Sequence, residues 1–137
     1  MSLWPDEVEF HVDKSKPQKG EVFVFGSNLA GIHGRGAALE AKRSYGAVML
    51  VGKGRTGHAY ALPTKDRELC RLTLQQIRKH VEEFIEYAIA HKDERFFITR
   101  VGCGLAGYEN REIAPMFSAA LPNCNYPRTW KRYLIVE

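Results

Sequence analysis

The sequence predicts an α/β chain, a three-layer α/β/α sandwich around a mixed, largely parallel sheet, and three observations carry that expectation. Residues 21–45, EVFVFGSNLAGIHGRGAALEAKRSY, pass from an apolar strand through a glycine-rich turn into a helix of small residues. Residues 95–121 repeat that order, with a buried-type strand, a second glycine loop and another helical pattern. Between them Leu74, Ile77, Val81, Phe84, Ile85, Ala88 and Ile89 recur at helical spacing and form a core stripe. Strands alternating with helices call for a largely parallel sheet covered on both faces. A chain of 137 residues suits a single domain, expected over 1–137, with residues 1–7 read as a disordered or expression-derived leader.

Taken in order, residues 8–12 read as the first strand. Val22, Phe23, Val24 and Phe25 form the second, and Gly26 is expected to break it. Gly36 hands over to Ala37, Ala38, Leu39, Glu40 and Ala41, strong helix formers. Residues 47–51 read as a short apolar strand, 52–57 as a loop with three glycines, and 58–62 as a further strand ending at Pro63. Thr73 and Gln76 have the spacing of a capping box at the start of the long helix. Residues 95–101 read as a buried strand. A helical pattern then runs from Glu109 and Asn110 through Ile113, Met116, Phe117, Ala120 and Leu121, with Asn110 as its cap and Pro115 blurring its start. Residues 132–136 read as the last strand.

Composition excludes several classes of function. An apolar fraction of 45% supports an ordinary core, and the net charge of +4 suits anionic ligands without making a dedicated nucleic-acid arm. The basic clusters are Lys14, Lys16 and Lys19, and later Arg128, Lys131 and Arg132, without the aromatic interleaving of RNA-binding surfaces. Cys70, Cys103 and Cys124 lack any C-x-x-C pairing, so neither a disulfide framework nor a zinc site is signalled, and a reduced cytoplasmic setting is expected. The five histidines have no metal-binding spacing, so no metal and no cofactor is expected. No apolar run approaches membrane-spanning length, so no membrane partner is expected either. The sequence is silent on oligomeric state.

The glycine loops carry the chemistry. Gly31, Gly34 and Gly36 let a ligand approach the backbone closely, and the free amides of the following helix turn would meet an anion with partial positive charge. In open α/β sheets ligands bind outside the carboxyl ends of the strands, where such loops gather. Two loops of this kind can close on one diphosphate from opposite sides, or each can be only a tight strand-to-helix connection.

The order of strand, Asn-bearing glycine loop and helix, then YALPTKD, a long helix, VGCGLAGY and a last helix resembles a macro domain, the module that binds ADP-ribose. The likeness extends from residue 8 to 136. It is strongest to the branch of terminal ADP-ribose glycohydrolases and of antitoxins that remove ADP-ribose from DNA. The resemblance implies a macro-domain-like fold and an ADP-ribose or ADP-ribosylated partner, with protein, nucleic acid or a metabolite as the carrier. It assigns Asn28 to the distal ribose, and Gly34, Arg35, Gly36 and Ala37 to the distal ribose and phosphates. Gly102, Cys103, Gly104, Leu105, Ala106, Gly107 and Tyr108 would cradle the diphosphate, and Asp13 would recognise adenine. An Asx turn is the alternative for Asn28, and a plain turn residue for Asp13.

Lys65, in PTKD, matches the lysine that attacks the anomeric carbon in the glycohydrolase branch, or it pairs with Asp66 or a phosphate. A lysine must lose its proton to act as that nucleophile. The branch also uses an aspartate in the second loop as general acid or base. Here that position is Ala106, which leaves Asp66, Glu109, a water or a catalytic His33 as substitutes. Cys103 follows a strand in a phosphate loop, yet Arg111 falls too late for a C-x-x-x-x-x-R phosphatase loop, so a packing cysteine is expected. The expected function is therefore binding of ADP-ribose or a related nucleotide diphosphate with hydrolysis of an ADP-ribosyl bond. A non-catalytic reader of that ligand is the rival, and a small nucleic-acid-associated protein the third reading.

Overall fold

The structure is a computed structural model that describes residues 8–12, 14–117 and 120–134. Six strands, β1 (Glu9–His11), β2 (Val22–Asn28), β3 (Gly54–Thr56), β4 (Ala59–Lys65), β5 (Phe96–Ile98) and β6 (Cys124–Pro127), form one sheet in the order β1-β6-β5-β2-β4-β3. All neighbours are parallel except β3, which turns back antiparallel onto β4. The helices are α1 (Gly36–Ser44), α2 (Leu74–Ala90) and the short α3 (Asn110–Ile113), with 3-10 turns at Ala114–Phe117 and Arg128–Tyr133.

Alternation along β2 divides the interior. Val22 and Val24 face a large core, whereas Phe23 and Phe25 face a smaller one beneath α1. In the smaller core Ala38, Ala41, Ala59 and Ala61 present little bulk, which lets α1 sit close to the rings of Phe23 and Phe97. The large core takes the apolar stripe of α2. Ile77, Val81, Phe84 and Ala88 are fully buried, and the three larger side chains each contribute roughly 1.5–3 kcal/mol over exposure. Thr73 starts this helix with the expected box: its hydroxyl accepts from Gln76 N at 3.2 Å, and its own N–H donates to Gln76 Oε1 at 2.9 Å.

Several expected boundaries are corrected. Residues 47–51 form no strand, because their backbone groups bind the first glycine loop instead of a neighbouring strand. The glycine stretch after them carries β3. β2 does not break at Gly26 but continues to Asn28, and β4 continues past Pro63 to Lys65. β5 keeps only three residues of the run at 95–101. Asn110 is the first helical residue, not the cap; Glu109 holds that place, and its N–H donates to Glu112 Oε1 at 3.0 Å. Arg132 and Tyr133 belong to a 3-10 turn that buries Trp130, not to a strand, and residues 135–136 lie outside the described residues. β6 is an addition to the expected strands. None of the described helices is long and apolar enough to cross a membrane.

One irregularity of the sheet bears on the cleft at its carboxyl edge. Pro63 has no N–H to give the ladder, and the β2–β4 register slips beside it, from Ser27↔Pro63 to Asn28↔Lys65. The slip sets Lys65 directly beside Asn28 at the carboxyl ends of two adjacent strands.

Candidate functional site

A cleft of about 440 Å³ opens at the carboxyl ends of β2, β4 and β5. Asn28 and Lys65 line it, as do Gly34, Arg35, Gly36 and Ala37 from the first loop and Gly102, Gly104, Leu105 and Ala106 from the second. Of the residues assigned from sequence, His33, Cys103, Gly107 and Tyr108 stand outside that lining. Asp13 lies outside the described residues.

The first loop is shaped by its own polar groups. Asn28 Nδ2 donates to Ile32 O at 2.8 Å, and Asn28 Oδ1 accepts from Ile32 N at 3.0 Å, so the carboxamide closes the loop as well as facing the cleft. Behind the loop the segment at 47–52 acts as a brace. Leu50 N donates to Gly31 O at 2.8 Å, and Ser27 Oγ donates to Gly52 O. Gly31 has φ +72°, and a Cβ there would stand 2.4 Å from Leu50 C, so only glycine allows this approach.

His33, offered from the sequence as an imidazole near the ribose, belongs to the brace and does not line the cleft. It is fully buried, and its Nε2 lies 3.0 Å from both Val48 O and Val51 O. Two carbonyl acceptors require that nitrogen to carry the proton. The ring is thereby held inward, serving carbonyls of a bend that no strand satisfies.

The amino end of α1 faces the cleft. No side chain caps it, no acidic residue sits in its first turn, and Gly36, Ala37 and Ala38 line the wall. Its free amides therefore present partial positive charge to whatever enters. Across the cleft, Gly102 has φ +76° and would bring a Cβ within 3.0 Å of Ile113 Cδ1, so the turn of the second loop also needs glycine. Leu105, 60% exposed, reaches back until its Cδ1 lies 3.5 Å from where a Cβ on Gly36 would be. The two loops thus meet at Leu105 and Gly36. Tyr108 turns away, its hydroxyl donating to Leu72 O at 2.6 Å and its ring lying under Arg71. It anchors the loop to the segment before α2.

The charged residues lining the cleft are Arg35, Lys65 and Arg100, all basic. Lys65 makes no hydrogen bond or ion pair through its amine among the described residues, and it does not pair with Asp66. That carboxylate caps its own turn by accepting from Glu68 N and Cys70 N, each at 2.9 Å. Glu109 pairs with Arg111. Neither acid lines the cleft, and Ala106 occupies the wall where the resemblance calls for one. Cys103 is no activated nucleophile: burial pushes its thiol up to about 11, against the pull of the nearby Arg100 charge. No group of three or more His, Cys, Asp or Glu side chains suited to a metal ion occurs among the described residues.

Sequence reasoning missed Ser27, Ile32, Thr64, Leu69, Thr99 and Arg100, which also line the cleft. Arg100 had a visible signal, since it immediately precedes the second glycine loop. Leu69 had none; its φ of +66° appears only in three dimensions, where the Asp66 turn holds its backbone.

No family model matches the sequence, and no curated protein does. Among solved structures, the macrodomain of Mycobacterium tuberculosis DarG matches with a TM-score of 0.63 at 20% identity, over 88% of this chain and 95% of that one. The chain therefore has the macro-domain fold, with its cleft between the two glycine loops.

Proposed function

We propose that the cleft binds ADP-ribose and that the chain hydrolyses an ADP-ribosyl bond, with Lys65 as nucleophile and Asn28 beside the distal ribose. The observation that carries this reading is the register slip that sets Lys65 against Asn28, with no partner for its amine among the described residues, between the two loops. The uncapped start of α1 and the glycine backbone of both loops supply donors for a diphosphate, and no carboxylate opposes it. In the chemical step the Lys65 amine gives up its proton to solvent and attacks the anomeric carbon, displacing the carrier's heteroatom. Water then releases the ribose from the lysine. With Ala106 in the wall, the proton for the leaving group comes from solvent.

One observation favours the rival, a reader that binds without cleaving: no acid lines the cleft, and the Asn28 carboxamide is already engaged with Ile32. Two measurements decide. Calorimetry should show ADP-ribose binding, and absence of heat at high micromolar ligand would remove the ADP-ribose reading. Release of ADP-ribose from modified protein or DNA should then be fast with the native chain and abolished in Lys65→Ala. Equal inactivity of the two, with binding retained, leaves the reader.

A further inference from the structure

Arg100 differs from the three arginines that are held by carboxylates. Arg55 pairs with Glu94 and Arg95 with Glu9, both at 2.9 Å, and Arg111 pairs with Glu109. Each of those charges is neutralised by a carboxylate. Arg100 lines the cleft, and its Nε instead donates to a neutral acceptor, Asn110 Oδ1, at 2.9 Å. The same oxygen accepts from Nε1 of the fully buried Trp130, also at 2.9 Å. Two N–H donors on one atom identify it as the carboxamide oxygen. The backbone is held as well: Arg100 O accepts from Cys103 N at 3.0 Å in the turn of the second loop, and the neighbouring Thr99 Oγ1 donates to Val24 O at 2.7 Å.

The consequence is a guanidinium fixed at one edge and open at the other. Its Nη groups make no hydrogen bond or ion pair among the described residues, and a planar fork of donors is the geometry that receives two oxygens of a phosphate. An aspartate at 110 would hold the arginine equally well but would cancel the charge that an anion needs.

Resting on the ADP-ribose reading, we propose that Arg100 is the side chain that grips the ligand's diphosphate from the second loop, and that Asn110 is its positioning residue, anchored by Trp130. The sequence resemblance assigned neither residue a role. Arg100 adds a directional contact to the backbone amides of α1 on the opposite wall, so the diphosphate is held from both sides.

The test is calorimetric titration of ADP-ribose and, in parallel, of inorganic pyrophosphate into the native chain and into Arg100→Gln, Arg100→Lys and Asn110→Asp. Loss of a charge-assisted contact should weaken both ligands about tenfold or more in Arg100→Gln, with partial recovery in Arg100→Lys. Asn110→Asp should keep the native melting temperature, because its oxygen still accepts from Trp130, yet bind both ligands several-fold more weakly. That separation of binding from stability is what a purely structural residue would not produce. Arg100→Gln binding within twofold of native overturns the assignment of Arg100, and native-like binding by Asn110→Asp overturns the role of its neutral acceptor. A native chain that takes pyrophosphate but not ADP-ribose refutes the proposed function, while the variants still test Arg100 against pyrophosphate. Binding of neither ligand refutes both.

Discussion

Gly52→Ala should separate the brace from the first glycine loop, because a Cβ at 52 would stand 2.1 Å from Asn28 O, at the carboxyl end of β2. The atoms that Cβ would meet are all backbone, so no side chain can swing aside. Either the brace or the end of β2 must retreat by about 0.9 Å to reach even a 3.0 Å contact. That displacement acts on three sets of contacts: Ser27 Oγ to Gly52 O, Leu50 N to Gly31 O, and His33 Nε2 to Val48 O and Val51 O. At about 1 kcal/mol net for each set, the loss is roughly 2–3 kcal/mol, which for a domain of this size lowers the melting temperature by about 10 °C. The matched control is Gly104→Ala, where a Cβ meets nothing within 4 Å, and melting should stay within about 2 °C of native. The assay is thermal unfolding by circular dichroism, followed by ADP-ribose titration of each variant below its transition. Gly52→Ala should bind more weakly as well, since Asn28 O is the atom displaced. If it melts with Gly104→Ala and keeps native affinity, the brace does not support the loop and the reasoning from steric overlap is wrong.

Two further outcomes concern α2. Thr73→Ala removes the hydroxyl that accepts from Gln76 N and should cost about 1 kcal/mol, seen as a lower urea midpoint with an unchanged slope; an unchanged midpoint refutes a stabilising cap. Burial holds the His80 imidazole below its ordinary pKa, with Glu83 opposing and Lys53 reinforcing the shift. The unfolded chain therefore takes up that proton more readily than the folded one, so this contribution to stability is present above about pH 6.5 and is lost as pH falls through the lower folded value. Melting temperature should drop between about pH 7.5 and 5.5, and less so in His80→Gln; identical pH profiles would show that His80 is not the group responsible.

Local signals in the sequence locate the parts of the fold that are built locally. The glycine turn between β2 and α1 and the Thr73–Gln76 box depend on residues a few positions apart, and both occur in the structure. The errors lie where distant partners decide. Residues 47–51 have strand composition, but they fold against Gly31 and His33, whose need for them no periodicity reports. β6 reads CNYP, two apolar residues interrupted by asparagine and closed by proline, and it is a strand because β1 and β5 flank it. For the site, the glycines and Lys65 are visible as motifs. Arg100 is visible only as a neighbour of the second loop, because its orientation rests on Asn110 and Trp130, ten and thirty positions further along the chain. His33 misleads for the converse reason: its place in a ligand loop says nothing of which way the ring turns.

The pairing of β1 with β6 also governs how the chain reaches this state. Glu9 finds its partner at Asn125, more than a hundred residues later, so the edge of the sheet cannot close until β6 has emerged from the ribosome. The interior pairs β2–β4 and β2–β5, from which both glycine loops hang, need only the residues up to Ile98. The strands behind the cleft are thus all synthesised before the partner of β1, and the β5 edge has no neighbour on that side until β6 arrives.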